Sequence, residues 1–391
     1  MNKFIHVIIP RINKYNIVYI SGLVVTLICL LFDTTRWPIS HAIHVGLKCF
    51  AGCLLCVILF TSLPKYGVKS IWVIFCVCIL TYIGIVTDTS FRMLALTALI
   101  FGSKGLNFNN ILKVYFCISA LFFITTVGAS LCGIIENRAI YSWDLNRLSY
   151  SSSSVRFCYG YGWPTSMPVH CSIILLTYWY LKNGILSKLD LGVFFAIIYW
   201  MILHTDARLG VGSILGILLI NIFYFLTRKT FPQYNKLYFI LVYSIPFFFI
   251  LALWATVAYR YNNFTWDFIN YMLSGRLALG NEAIHNYGIP LLGQLVKLNG
   301  GDDSGIYYNY IDSSYIQLIV IYGIVYTALF LITYYFICHK AYKNNNYPLI
   351  LAVLLTGVSG LISDYMLILT MNPFYIALFT KTNSNYNNCN L

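Results

Sequence analysis

Residues 237–257 read LYFILVYSIPFFFILALWATV, with no charged side chain anywhere in the run. As a helix, a run of that length covers about 30 Å, the thickness of the hydrocarbon core of a bilayer. The run 70–86 is equally unbroken, whereas a membrane β-barrel alternates apolar and polar side chains over short segments. These stretches are therefore read as spanning helices. The rest of the chain has the same character: 59% of its 391 residues are hydrophobic and 9% charged. Such a composition leaves too little polar side-chain surface to cover a soluble domain.

The fold expected is all-α, a polytopic helical membrane protein. Spans are expected near 16–32, 41–62, 70–87, 93–101, 111–134, 164–181, 185–204, 209–225, 237–257, 313–337, 347–363 and 366–380. That is about twelve, with 93–101 too short to cross unless extended or re-entrant. Lys3, Arg11 and Lys14 precede the first run, and no small-residue cleavage site follows Leu31, so that run is read as a retained span. Residues 1–381 are taken as one integral membrane domain with extracytoplasmic loops at 135–163 and 259–312. The Asn-rich tail 382–391 is read as a disordered cytoplasmic end. The chain carries twelve cysteines. Most sit singly in apolar runs, so they are read as packing groups rather than disulfide or zinc partners.

Lys and Arg counts in alternate loops give the orientation. One set of loops, including both termini, holds 15 of the 25 basic residues and is assigned to the cytoplasm. Thirteen of those 15 are Lys, whereas eight of the other ten are Arg: Arg36, Arg92, Arg138, Arg147, Arg156, Arg208, Arg260 and Arg276. Of the twelve acids, Asp190 alone falls clearly on the cytoplasmic side. A lysine that sets topology need only be a charged point. An arginine offers a planar fork that grips carboxylate or phosphate with two hydrogen bonds and stays charged when partly desolvated. The outer face therefore reads as an anion-binding surface. The competing reading is local ion pairing, for which Asp88 with Arg92, Asp144 with Arg147 and Asp206 with Arg208 are suitably spaced.

Four outer stretches can carry chemistry. Arg156-Phe157-Cys158-Tyr159-Gly160-Tyr161-Gly162-Trp163-Pro164 alternates aromatics, which stack on sugar rings, with glycines, which let backbone approach a ligand. It also fits an interfacial aromatic belt. Asp206-Ala207-Arg208-Leu209-Gly210 opens a span and sets an arginine near a helix N-terminus, a favourable phosphate site. Ser274-Gly275-Arg276-Leu277 follows the amphipathic stretch 264–273, which is suited to lie along a membrane surface. Ser274 or Gly275 caps a helix expected to reach about Tyr287, so Arg276 opposes the helix dipole, as a bound anion would explain. Asp312-Ser313-Ser314-Tyr315 puts a carboxylate at the membrane edge, where helix capping is the competing role.

Other signals are weaker. Ser149–Ser154 is read as a flexible piece of an outer loop. Asp302-Asp303, between Gly-rich flanks, reads as a solvated loop before it reads as a divalent-cation site, and no metal is expected. His170 and His204 read as structural, whereas His285 is an acid/base candidate. No P-loop, dinucleotide-binding or zinc-protease pattern is present. The charge of +13 is accounted for by cytoplasmic lysines and outer arginines, so no nucleic-acid partner is expected.

At these four stretches the sequence resembles the O-antigen and capsule repeat-unit polymerases, a multispanning family that is also similar to the O-antigen ligases. That family carries an arginine before an aromatic and glycine stretch ending His-Pro-Asn. Here Arg156 and Pro164 match, and Trp163 and Thr165 replace the His and Asn. Arg208-Leu209-Gly210 is similar to its Arg-Thr-Gly turn, and Ser274-Gly275-Arg276 matches its Gly-Arg start. Asp312 to Tyr315, followed by Tyr322-Gly323, resembles its Asp-Asn-x-Tyr segment with Ser313 in place of Asn.

The resemblance implies a glycosyltransferase at the outer side of the bacterial inner membrane, working on undecaprenyl-diphosphate-linked oligosaccharide. The growing polymer leaves its diphosphate en bloc for a hydroxyl of a new repeat unit, with no nucleotide or other cofactor. A chain-length regulator is a usual partner, alongside the lipid bilayer. The reaction requires charge stabilisation on the leaving diphosphate and a base for the acceptor hydroxyl. Arg156, Arg208 and Arg276 are assigned to the diphosphate, with Arg260 as a weaker fourth. Asp312 is assigned as the base, with Glu282 and His285 in reserve, and Tyr159, Tyr161, Trp163 and Tyr315 as sugar-stacking groups. Two alternatives stay open: a lipid-linked oligosaccharide flippase, which should hold its charges near the bilayer midplane, and an O-antigen ligase.

Overall fold

The structure is a computed structural model that describes residues 14–144, 149–205, 208–228, 231–300 and 309–382. Asp302-Asp303, Arg147, Asp206 and the tail from Asn383 lie outside the described residues, and of Lys14, residues 141–144 and 149–155, Arg208 and residues 231–233 only the backbone is described. The chain divides into two compact units. The first comprises Met1–Thr61, Gly105–Tyr234 and Thr380–Asn385; the second comprises Ser62–Lys104, Asn235–Phe379 and Tyr386–Leu391.

In the first unit α1 (Lys14–Thr34), α2 (His41–Ser62) and, in the second, α3 (Ser70–Val86) follow the expected runs closely. A seven-residue 3₁₀ stretch joins α2 to α3 and is kinked at Gly67, whose φ of 56° suits glycine. Then come α4 (Ser90–Gly102) in the second unit, α5 (Phe108–Leu131) in the first, and a hairpin of β1 (Ala139–Asp144) and β2 (Ser149–Phe157). The antiparallel pairing of that hairpin sets Arg156 opposite Ile140, with an irregularity after Tyr141. Ser149–Ser154, expected to be flexible, thus lies within β2, where residues 149–151 pair with 142–144 and residues 152–154 form the irregularity; the pairing satisfies backbone groups.

The first unit continues with α6 (Ser166–Leu181), α7 (Lys188–His204) and α8 (Arg208–Thr227). Local sequence fixes these boundaries. Asn107 Oδ1 accepts the amides of Asn109 and Asn110 to open α5, and Ser187 with Asp190 forms a reciprocal capping box at α7. The α6 and α8 helices pack near their N-terminal ends, where a methyl on Gly210 would come within 2.3 Å of Pro168 Cβ.

The 237–257 run that decides the fold class is not one straight helix. It is a pair, α9 (Phe231–Leu241) and α10 (Ser244–Ala258), bent by 53°. Pro246 sits in the first turn of α10, where its missing N–H costs nothing, and it bars a continuous helix through the junction. The 259–312 stretch follows with α11 (Phe264–Met272) and α12 (Arg276–Tyr287). Next, Ser314–Gln317 and a wide π turn at Leu318–Tyr322 lead into α13 (Gly323–Lys343), followed by α14 (Tyr347–Gly360). Gly323 breaks the helix with φ 83° and ψ 177°, a conformation essentially confined to glycine. The loop at 290–294 fills the break: Ile324 and Val325 donate to the carbonyls of Pro290 and Leu291, and the Gln294 amides donate to those of Ile321 and Val320. The freed backbone groups of the π turn are therefore satisfied within the protein, as apolar surroundings demand.

Among the described residues, five helices are long and apolar enough to cross a membrane, or six with the bent pair, and this count treats 41–86 as one. Two further apolar helices fall below that length: α4, with 13 residues, extends the expected 93–101 at both ends, and α14, with 14, stops short of the expected 363. The expected span at 366–380 is not a helix but three short 3₁₀ turns, Tyr365–Leu367, Leu369–Met371 and Phe374–Leu378. Pro373 removes a donor and holds Asn372 out of helical geometry. The Asn372 side chain then takes over, donating to Tyr334 Oη at 2.6 Å and Met366 O at 2.9 Å. The described fold is that of an all-α, membrane-embedded protein.

Candidate functional site

In the second unit the polar side chains gather where three chain breaks meet: the α11–α12 turn, residues 309–313, and the unwound turn after α14. Ser274 and Gly275 carry φ of 56° and 82°, a left-handed pair that ends α11 and starts α12 at Arg276 as expected. The first amides of α12 do not wait for an anion. Asn270 Oδ1 accepts those of Leu277 and Ala278, both at 3.1 Å. The cation that opposes the dipole is offset instead by oxygens: Arg276 Nε donates to Ile362 O at 2.7 Å and Nη1 to Leu273 O at 2.9 Å. Asp312 Oδ2 lies 4.0 Å from Nε, and both side chains keep about a fifth of their surface open, 20% and 23%.

Asp312 is not the helix cap. The cap position belongs to Ser313, whose hydroxyl donates to Gly360 O at 3.4 Å, so the capping role competing with a chemical one falls away for Asp312. Ser314 donates both its amide and its hydroxyl to Ser363 O, at 3.0 and 2.5 Å. Arg276 and Ser314 thus hold the carbonyls of Ile362 and Ser363 and fix the turn on which the next residue, Asp364, stands. Close packing lets the chains approach: a methyl on Gly357 would meet Ile245 at 2.5 Å, and one on Gly360 would meet Met366 at 2.7 Å.

Asp364 accepts from Tyr310 Oη at 2.5 Å. Its carboxyl is pushed up to about 6, first by burial and then by the nearby charge of Asp312, against the lowering pull of Tyr310 and Arg92. The Tyr310 hydroxyl is pushed above its ordinary range by burial and by Asp364. Arg92, expected beside Asp88, acts on Asp364 and on Tyr322. Neither Tyr310 nor Asp364 was singled out by sequence. The available signal was a lone acid between two apolar runs, at 364, with a tyrosine two residues before Asp312.

The other expected site residues divide. Arg260 Nη1 donates to Val257 O and Tyr259 O, which caps the C-terminus of α10, a favourable place for a cation. Glu282 and His285 are six and nine residues along α12 from Arg276. At about 100° per residue they point roughly 120° and 180° away from it, so neither reserve base joins the Arg276 cluster. His285 is exposed in the last turn. Tyr315 is fully buried and donates to Gly357 O, so no ring face is open to a sugar.

In the first unit the aromatic and glycine segment is mostly interior. Tyr161 is fully buried and its hydroxyl meets His170 Nδ1 at 2.7 Å. Tyr159, with φ of 48°, is buried against Trp200 and bonds to His204 O. A methyl on Gly160 would crowd Thr126 at 3.0 Å, so that glycine serves chain packing. Tyr159 and Tyr161 are therefore corrected from stacking platforms to packing groups, whereas Trp163 keeps 39% of its surface open. Arg156 is half-buried on β2, and the backbone of Arg208 opens α8. Arg36 pairs with Glu136 at 2.7 Å, the ion-pair role foreseen for outer arginines. Among the described residues no cluster of His, Cys, Asp and Glu is arranged to hold a metal ion. Comparison with protein-family models, curated proteins and solved structures gives no match for this chain.

Proposed function

We propose that this protein is a polysaccharide polymerase of the bacterial inner membrane. It joins undecaprenyl-diphosphate-linked repeat units on the outer face, with about twelve spans and both termini in the cytoplasm. The observation that supports this reading most is the loose pair of Arg276 and Asp312, 4.0 Å apart and each about one-fifth open. A tightly closed ion pair has no charge to spare for a ligand, whereas a loose and partly open one can exchange its internal carboxylate for a diphosphate. Arg276 stabilises the charge that builds on the leaving diphosphate, the largest single contribution such a site makes. The acceptor sugar approaches from the Asp312 and Asp364 side. Arg156 and Arg208, in the first unit, are judged by the same substitutions as Arg276.

A deletion strain tests the reading. Single lipid-linked repeat units accumulating on the outer leaflet, with single-unit-capped lipid or short glycan, are the expected result. Accumulation on the inner leaflet favours a flippase, and an uncapped lipid A core favours a ligase.

A further inference from the structure

We propose that Asp364, rather than Asp312, is the group that takes the proton of the acceptor hydroxyl, and that Tyr310 positions it. The inference rests on the polymerase reading. Three observations carry it. First, Asp312 stands on the Arg276 side of the cluster, 4.0 Å from the guanidinium that this reading gives to the leaving diphosphate. Second, Asp364 stands on a non-helical turn whose two preceding carbonyls are held by Arg276 and by Ser314. A residue four positions beyond α14 is thereby locked to the elements that bear Arg276 and Asp312. Third, Tyr310 spends its hydroxyl proton on Asp364 Oδ2, which orients the carboxyl as the third member of a nucleophile, base and orienter chain does. Burial in this half-closed place also keeps the carboxyl a better base than an ordinary aspartate.

The step balances. The acceptor hydroxyl oxygen bonds to the anomeric carbon of the donor chain, and its proton passes to an Asp364 carboxylate oxygen. The bond from that carbon to the diphosphate oxygen breaks, and its electron pair leaves on undecaprenyl diphosphate. The carboxylic acid returns its proton to water as the products depart. The charged and titratable groups that face Asp364 are Tyr310 and Asp312 from the 309–313 segment, Arg92 from α4 and Tyr322 from the π turn, while Tyr365 faces Tyr310.

The test uses the full chain purified in detergent, with undecaprenyl-diphosphate-linked oligosaccharide isolated from the deletion strain. Asp364→Asn is expected to lower kcat by at least about 100-fold, the usual contribution of a proton-transfer group, while undecaprenyl diphosphate binds as in wild type. Asp312→Asn is expected to cost less. Loss of the Tyr310 hydroxyl removes a bond to the charged form, so in Tyr310→Phe the acid limb of kcat against pH moves to higher pH. A smaller loss in Asp364→Asn, a larger one in Asp312→Asn, or an unmoved limb in Tyr310→Phe overturns the proposal. The Tyr310→Phe profile decides alone if Asp364→Asn does not fold. Wild-type protein that never joins these oligosaccharides overturns the polymerase reading itself, and the inference with it, without reference to any variant.

Discussion

The turn around Asp364 and the segment around Tyr161 are both polar interruptions beside apolar helices, yet they are built to opposite ends. Around Tyr161 the chain is closed inward: the hydroxyl meets His170, the backbone is turned against Thr126, and the rings of Tyr159 and Tyr161 are interior. Around Asp364 two carboxylates and two arginines are held near one another by backbone carbonyls and a tyrosine, with Arg276 and Asp312 still partly open. The first arrangement is what stability favours. The second gathers like charges and shifts a pKa, which stability alone does not favour but chemistry requires.

Substitutions can break that contrast. The largest effect is expected at Arg276. Arg276→Ala should lower polymer formation by about 100-fold or more with protein levels unchanged, as read from the glycan ladder of a complemented deletion strain. Next comes Gly323→Ala. Its Cβ would lie 2.6 Å from Gly293 N, in a conformation that costs a non-glycine residue on the order of 1–3 kcal/mol before the clash. The thermal midpoint in detergent should fall steeply.

Asp364→Asn sharpens the comparison through its sign. The Asp364 carboxyl titrates at about 6 when folded against an ordinary value of 3.8, so its protonated form favours folding. Stability from this group is full below about 4 and is lost as pH rises through about 6. Asn, always neutral, should therefore stabilise the protein at pH 8, by at most about 3 kcal/mol, while lowering turnover. Tyr161→Phe should do the reverse on a smaller scale: a loss of about 1 kcal/mol for the missing hydrogen bond, with polymer length unchanged. A shortened polymer in Tyr161→Phe would return that segment to the ligand site.

Much of the fold was legible because apolar run length is a direct physical requirement of a bilayer. The run 70–86 matches α3, and Arg276 to Tyr287 was bounded by Ser274-Gly275 and Gly288. What the runs concealed were the breaks within them. Pro246 bends 237–257, Gly323 opens a π turn in the 314–343 run, and Pro373 dissolves the last span into 3₁₀ turns. Hydropathy registers composition and does not register where a donor is missing. For the site, the arginine and carboxylate of the 259–312 stretch were visible as residue types out of place, and the structure sets Arg276 beside Asp312. Asp364 was not visible, because 52 residues of sequence separate it from Asp312 and only the folded turn at 361–364 brings the two together. The aromatic segment misled for the converse reason: tyrosine and glycine alternate both where sugars stack and where a buried turn is tightly packed.

The most direct measurement is the glycan ladder made by Arg276→Lys at wild-type protein level. Lysine keeps the charge but not the fork, and it cannot at once hold Ile362 O, Leu273 O and a diphosphate. Polymer reduced to one or a few repeat units is the predicted result. A full-length ladder from Arg276→Lys would contradict the account, leaving Arg276 as a structural tie and the turn around Asp364 without a catalytic role.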